Sequence, residues 1–247
     1  MLRLILQFKF YYLCSLIIHT TMTTSSETII IVAGGKGERM QTHIPKQFIT
    51  LLAQPILMHT ISLFYSYNKH MQLIVVLPKA EIHSWELLCK KHAFDIPHRC
   101  LAGGSTRFES VRNGLQLAPN SGFIGVHDGV RPLVSHETIR RCFDAARQYG
   151  ACIPVTNPVE SIREMINDSS VAVDRTRYKL VQTPQVFEAS LLHKAYEQNY
   201  SALFTDDASV VEATGAAIQL VEGNVENIKI TTPFDLKVAE LLLKQHN

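Results

Sequence analysis

The sequence predicts an α/β protein: a Rossmann-like open, mostly parallel twisted sheet flanked by helices, with a projecting β-arm. Three observations predict it. Short apolar runs alternate with helical periodicities from Thr28 onward, a glycine-rich loop follows the first run at once, and one polar stretch breaks the alternation. The 247 residues are 46% hydrophobic and 19% charged, enough apolar material for a full core. A net charge of +2, from 24 Lys and Arg against 22 Asp and Glu, is too small a surplus for a protein that wraps a nucleic-acid backbone. Any anion must be handled locally.

Residues 1–27 are a different kind of text. Leu4 to His19 is apolar and aromatic but is split by Lys9, and a Ser/Thr-rich run follows to Glu27. A secretory signal needs an unbroken apolar stretch and a small-residue cleavage site, and a membrane span needs about 20 residues without a charge. Neither pattern is met, so no membrane partner is expected. Residues 1–27 are expected to be a poorly packed extension, with translation beginning at Met22, and residues 28–247 to form the functional domain. Cys14, Cys89, Cys100, Cys142 and Cys152 lack paired spacing, which suits a reducing, cytoplasmic compartment.

In chain order, strands are expected at Thr28 to Val32, Gln72 to Leu77, Arg99 to Ala102, Phe123 to His127, Ala151 to Val155 and Ile218 to Glu222. Helices are expected between them. Pro55 to Tyr67 places Ile56, His59, Thr60, Leu63 and Tyr67 on one stripe, and Ile82 to His92, Thr106 to Leu117, Thr138 to Tyr149 and Glu188 to Gln198 have similar periodicity. Thr106 and Glu109 have capping-box spacing, and Thr232 before Pro233 marks the start of a helix over Pro233 to Lys244.

Thr156 to Leu180 breaks the pattern. Charged residues there interleave with single apolar ones, too polar for a core strand and suited to a β-arm. An arm buries little of itself on its own chain, so a second subunit is its natural packing partner and a homodimer is expected. A solvated surface hairpin is the alternative.

Ala33-Gly34-Gly35-Lys36-Gly37-Glu38-Arg39-Met40 follows the first strand directly. Small residues at the end of a parallel strand let backbone N–H groups approach a phosphate. The details exclude the two commonest cradles: no Gly-Lys-Ser/Thr is present, and Met40 stands where G-x-G-x-x-G needs its third glycine. A generic turn is the alternative. Charge favours the cradle, because Lys36, Arg39 and Lys46 crowd this stretch with only Glu38 opposing them. A nucleoside triphosphate carries about four negative charges, and attack at its α-phosphorus needs fixed cations.

Ala33-Gly34-Gly35-x-Gly37-x-Arg39-Met40 with Pro45-Lys46-Gln47 resembles the signature of sugar-phosphate nucleotidyltransferases. Further segments narrow the likeness: Gly103-Gly104-Ser105-x-Arg107-x-x-Ser110-Val111, His127-Asp128-x-x-Arg131-Pro132, Val173-Asp174-Arg175, Thr183-Pro184-Gln185, Thr205-Asp206-Asp207-Ala208-Ser209 and Asn227-Ile228-Lys229-Ile230-Thr231. Singly they are weak. As an ordered set from Thr28 to about the chain end they are specific, and they resemble the 2-C-methyl-D-erythritol 4-phosphate cytidylyltransferases of non-mevalonate isoprenoid synthesis.

The resemblance implies transfer of CMP from CTP to methylerythritol phosphate with release of pyrophosphate. Arg39 and Lys46 look like the family's transition-state stabilisers, and Arg175 and Lys229 like the residues that position the acceptor. Ala33, Gly34, Gly35, Gly37, Gly104, Arg107, Ser110 and Gly129 are implied as nucleotide-binding. Asp128, Arg131, Ser161 and Thr183 are implied as acceptor-binding, with Ser161 standing where the family usually has Thr. Extra residues between Thr156 and Glu160 blur that alignment. If the arm exchanges between subunits, Arg175 and Ser161 complete the partner's site. Each residue also has a plainer reading: Asp128 as a structural cap, Lys229 as an exposed edge lysine, Arg107 and Ser110 as parts of a capped helix start.

Mg²⁺ is implied as cofactor; it binds mainly through phosphate oxygens and leaves little trace in sequence, with Asp128 the one candidate ligand. The eleven histidines show no ligand spacing. Two other functions compete. A ribitol 5-phosphate cytidylyltransferase shares the loop and differs in acceptor, while a non-catalytic nucleotide-binding regulator would have shed Arg39, Lys46, Arg175 and Lys229, all of which are present.

Overall fold

A computed structural model of the chain describes residues 26–35 and 44–245. The expectations for residues 1–25, and for Lys36, Gly37, Glu38, Arg39 and Met40, lie outside the described residues.

The central sheet begins with β1 (Glu27–Val32), whose Ile29, Ile30 and Ile31 are fully buried. A strand apolar on both faces belongs in the middle of a parallel sheet, and β1 lies parallel between β4 (Gln72–Leu77) and β6 (Phe123–Asp128). β5 (Arg99–Ala102) extends the sheet beyond β4, again in parallel. Strand alternation divides the core. Ile29, Ile31, Leu73 and Val75 face one apolar layer, and Ile30, Ile74 and Val76 face the other. The first layer is covered by α1 (Ile56–Tyr67), α2 (Ile82–Lys91) and α4 (His136–Tyr149), the second by α3 (Arg107–Leu115), α5 (Ala189–Ala195) and α6 (Asp207–Glu212).

The helix starts follow the side chains. Thr106 and Glu109 form the capping box expected of α3. At α7 (Pro233–Gln245), Thr232 Oγ1 accepts from the Asp235 N–H, while the Asp235 carboxylate accepts from the Thr231 and Thr232 N–H groups. Gly150, at φ +85°, ends α4 in the left-handed conformation that glycine tolerates best.

The expected strands stand with ends moved by at most a residue, and two features differ from the expectations. Glu188 to Gln198 begins not as a helix but as the end of β11 (Gln185–Glu188), an antiparallel strand wedged between β6 and β7 (Ala151–Thr156), with α5 starting one residue later. Four residues are too few to show a period. β2 (Thr50–Leu51) and β3 (Gln54–Pro55) make a small hairpin whose turn places Leu52 and Ala53 at positive φ, without the Asn-Gly signal that normally announces one. The last expected strand is β12 (Gln219–Glu222), parallel to β7 on its outer side.

The arm is a separate two-stranded sheet. β8 (Ile162–Ile166) pairs antiparallel with β9 (Ser169–Val173), and β10 (Leu180–Val181) returns the chain along β7. Val159, Met165 and Leu180 on it are more than half exposed. Among the described residues, no helix is long and apolar enough to cross a membrane.

Candidate active site

The loops leaving β1, β5 and β6, which end at the same edge of the sheet, enclose a cavity of about 220 Å³. Ala33, Gly34 and Gly35 form one wall and Gly104, Ser105, Thr106 and Arg107 another, with Asp128, Lys46 and Lys229 completing it. The position follows from topology, since parallel strands deliver their loops to a common edge.

Asp128 is the hub. Its Oδ2 accepts from Arg131 Nε at 3.0 Å and lies 3.1 Å from Lys229 Nζ. Burial works against a charged carboxyl here, but Lys229, Arg107 and Arg131 together outweigh it and hold Asp128 well below the usual carboxylate range. Arg131 also donates from Nη1 to the Asn227 carbonyl at 2.7 Å, which ties the segment before Lys229 to the end of β6.

Behind Asp128 the hydrogen bonds run one way. The Asp128 N–H donates to Thr183 Oγ1 at 3.1 Å, the Thr183 hydroxyl donates to His127 Nδ1 at 3.0 Å, and His127 Nε2 donates to the Arg131 carbonyl at 3.0 Å. The Arg131 carbonyl can only accept, so Nε2 carries a proton, and a neutral ring then takes the Thr183 hydroxyl proton at Nδ1. Full burial agrees, pushing the His127 pKa down to about 4. Asn227 Nδ2 completes the shell by donating to the Thr183 carbonyl at 2.8 Å.

On the other wall, Arg107 Nη2 pairs with Asp207 Oδ2 at 2.5 Å, and Tyr196 Oη donates to Asp207 Oδ1 at 2.6 Å. Burial disfavours the guanidinium charge, yet Asp207 outweighs it and holds Arg107 more firmly protonated than a free arginine. Gln185 steadies the start of α6, donating to Asp206 at 2.7 Å and accepting from the Ala208 N–H at 2.8 Å. Ser110 Oγ accepts from the Gly104 N–H and donates to the Thr106 carbonyl, so it shapes the loop beside the cavity.

The glycines differ in what they permit. A Cβ on Gly34 would meet nothing within 4 Å, whereas one on Gly35 would meet Lys46 Cε at 2.8 Å, so the lysine stem lies across the loop. A Cβ on Gly104 would meet Glu109 Cβ at 2.3 Å. Gly129 lies behind the cavity, where a Cβ would touch Ala33, Leu57 and Ile31; that glycine serves close packing.

The structure therefore brings Ala33, Gly34, Gly35, Lys46, Gly104, Arg107, Ser110, Asp128 and Lys229 to one cavity, with Arg131 and Thr183 in direct contact with Asp128. Ser161 and Arg175 are exposed on the arm and do not line it, and Arg175 donates to the Val159 carbonyl of the same arm. Sequence reasoning assigned no role to His127, Asn227 or Asp207. The signal for Asp207 was its place in the Thr205 to Ser209 segment, whose two adjacent acids divide into a cap and a clamp.

The donor set does not make a protein-held site for Mg²⁺. Asp128 Oδ2 already faces two cationic nitrogens, and among the described residues no three His, Cys, Asp or Glu side chains converge as metal ligands.

The model of the family described as 2-C-methyl-D-erythritol 4-phosphate cytidylyltransferase matches residues 28–245. The chain belongs to this family. It is thus a nucleotidyltransferase, similar in sequence to relatives named 2-C-methyl-D-erythritol 4-phosphate cytidylyltransferase. The Bacteroides thetaiotaomicron relative is 54% identical over 88% of this chain and 99% of its own length, and the Bacteroides fragilis relative is 55% identical over 87% and 99%. The cytidylyltransferase also resembles solved structures. The 4-diphosphocytidyl-2C-methyl-D-erythritol synthase of Anaerococcus prevotii matches with a TM-score of 0.75 at 28% identity, covering 89% of this chain and 96% of that one. The Thermus thermophilus 2-C-methyl-D-erythritol 4-phosphate cytidylyltransferase matches with a TM-score of 0.73 at 30% identity, covering 89% and 99%.

Proposed function

We propose that the cavity above Asp128 carries out cytidylyl transfer. A phosphate oxygen of 2-C-methyl-D-erythritol 4-phosphate attacks the α-phosphorus of CTP; the new O–P bond forms as the bond to the bridging oxygen of the β-phosphate breaks, and pyrophosphate leaves. The attacking oxygen is already an anion, so the protein needs no general base. Its task is to bring two repelling anions together and to stabilise a crowded, five-coordinate phosphorus.

One observation carries this reading: the cations Lys46, Arg107 and Lys229 line one cavity at the strand ends, with Asp128 between them paired to Lys229. In this reading Lys46 lies over the glycine loop where the triphosphate enters, and Arg39, outside the described residues, is the other transition-state stabiliser that the motif implies. Lys229 and Arg131, aligned on Asp128, receive the acceptor phosphate. A divalent cation such as Mg²⁺ would be held by the phosphate oxygens of the triphosphate rather than by side chains, and would supply charge neutralisation there.

The exposed arm packs on a second copy of the chain in this reading, carrying Arg175 and Ser161 to the partner's cavity. It is supported by an arm that forms its own sheet and leaves Val159, Met165 and Leu180 open. The described cysteines are all free thiols, which suits the cytoplasm.

Pyrophosphate release tests the reaction. Release should require both CTP and methylerythritol phosphate and should fail with ATP, GTP or UTP. Release with ribitol 5-phosphate in place of methylerythritol phosphate would overturn the choice of acceptor. Sedimentation of the full chain tests the arm: a monomer with unaltered acceptor affinity would end that part.

A further inference from the structure

Gln47 follows Lys46 in the same motif. The residue is 1% exposed, it lines the cavity, and neither Oε1 nor Nε2 has a hydrogen-bond partner. The other unpaired buried side-chain atoms among the described residues, Thr28 Oγ1 and Asn227 Oδ1, do not line it. Nor is Gln47 on a loose segment. It sits in the 3₁₀ turn Lys46–Phe48, which Phe48 anchors by stacking on Trp85 with ring centroids 5.9 Å apart. Buried amides are paired in nearly all native proteins, so one left bare at both ends beside a cavity marks a place that a ligand completes.

We infer that Gln47 contacts substrate directly, through a neutral group that offers a donor and an acceptor side by side. Phosphate does not meet this requirement, because its oxygens only accept: one could pair Nε2 but would leave Oε1 bare. Two parts of the substrates do meet it. The cytosine edge sets an amino donor next to a ring-nitrogen acceptor, and a pair of sugar hydroxyls offers both functions. Gln47 is thus a binding residue for the uncharged part of a substrate, beside the cations that hold the charged part. This deepens the cytidylyl-transfer reading and rests on it.

Gln47→Met keeps side-chain length and removes both polar ends; Gln47→Leu is the second variant if the first does not fold. Wild-type turnover with CTP and methylerythritol phosphate is measured first, and its absence would sink the transfer reading itself. With an active wild type, Gln47→Met should raise KM for one substrate at least about tenfold, with kcat changed much less. Its ligand-free Tm should equal or exceed that of wild type, since an unpaired amide has been removed. Collapse of the preference for CTP over UTP assigns the contact to the base. Collapse of the preference for CTP over 2′-deoxy-CTP assigns it to the ribose, and a rise confined to the KM of methylerythritol phosphate assigns it to the acceptor hydroxyls. Unchanged KM for both substrates, or a lowered Tm with KM intact, would overturn the inference.

Discussion

Lys229, close to the C-terminal helix, and Asp128, at the end of a central strand, sit 3.1 Å apart, Nζ to Oδ2, on one side of the cavity. The pair is half-open: the lysine side chain is 41% exposed and the aspartate 11%. A lysine held this way is aimed while remaining within reach of a phosphate, and the aspartate that aims it is itself fixed by Arg131.

Asp128→Asn should therefore impair both folding and acceptor binding. Removing one partner leaves Arg131 with an uncompensated, largely buried charge, at a cost on the order of 3 kcal/mol. The folded carboxyl titrates below its unfolded range. Its stabilisation is thus complete above that range and is lost as the pH falls through it toward the folded value. Urea unfolding at pH 7 and pH 3 should show a larger loss for wild type than for Asp128→Asn; equal losses would sink the account.

His127 gives a pH dependence of its own. The folded pKa is about 4 against an ordinary 6.5, so between those values the unfolded chain takes up a proton that the folded chain refuses. Stability should fall as the pH drops from 6.5 to about 4, by on the order of 3 kcal/mol. His127→Gln should be less stable at pH 7 and show a flatter dependence, measured by denaturant titration across the interval.

Asp207→Asn should act at a distance from any substrate. Arg107 would lose its counter-charge while staying largely buried, costing on the order of 3 kcal/mol and letting the guanidinium turn toward Asp128. The expected result is a lowered Tm together with a raised KM for CTP. Tyr196→Phe should give a weaker version of both, about 1 kcal/mol for the lost hydrogen bond.

Two glycines separate folding from binding. Gly34→Ala meets open space, so Tm should hold while KM for CTP rises if the backbone there approaches phosphate. Gly104→Ala meets Glu109 Cβ at 2.3 Å and should disturb the capping box, costing about 1–3 kcal/mol in thermal or chemical unfolding.

Lys46→Met should lower kcat by about 10² or more with a small change in CTP affinity, because a cation that stabilises charge developing in the transition state contributes little to ground-state binding. Pre-steady-state turnover beside equilibrium CTP binding checks it. Equal losses in both would reassign Lys46 to simple binding.

Much of the fold was legible in the chain. β1 and β4 showed themselves through nearly unbroken apolar runs, and the capping box at Thr106 through its spacing, because both are set by neighbours a few residues away. β11 was not legible: its four residues are a strand only because β6 and β7 leave a slot that an antiparallel segment fills. The β2–β3 turn was hidden for a related reason, since Leu52 and Ala53 adopt positive φ against their own preference.

In the site, the glycine loop, Lys46, Asp128 and Lys229 could be picked from motif order. What each one touches could not. The sequence by itself determined the layering of the protein and the set of charges it brings to bear, since hydrophobic period and residue chemistry are local properties. Only the tertiary structure decided that Asp207 restrains Arg107, that His127 stays neutral, and that Gln47 is sealed in without a partner. Those are properties of distance and desolvation between segments remote in the chain, and they exist only once the strands have closed the cavity.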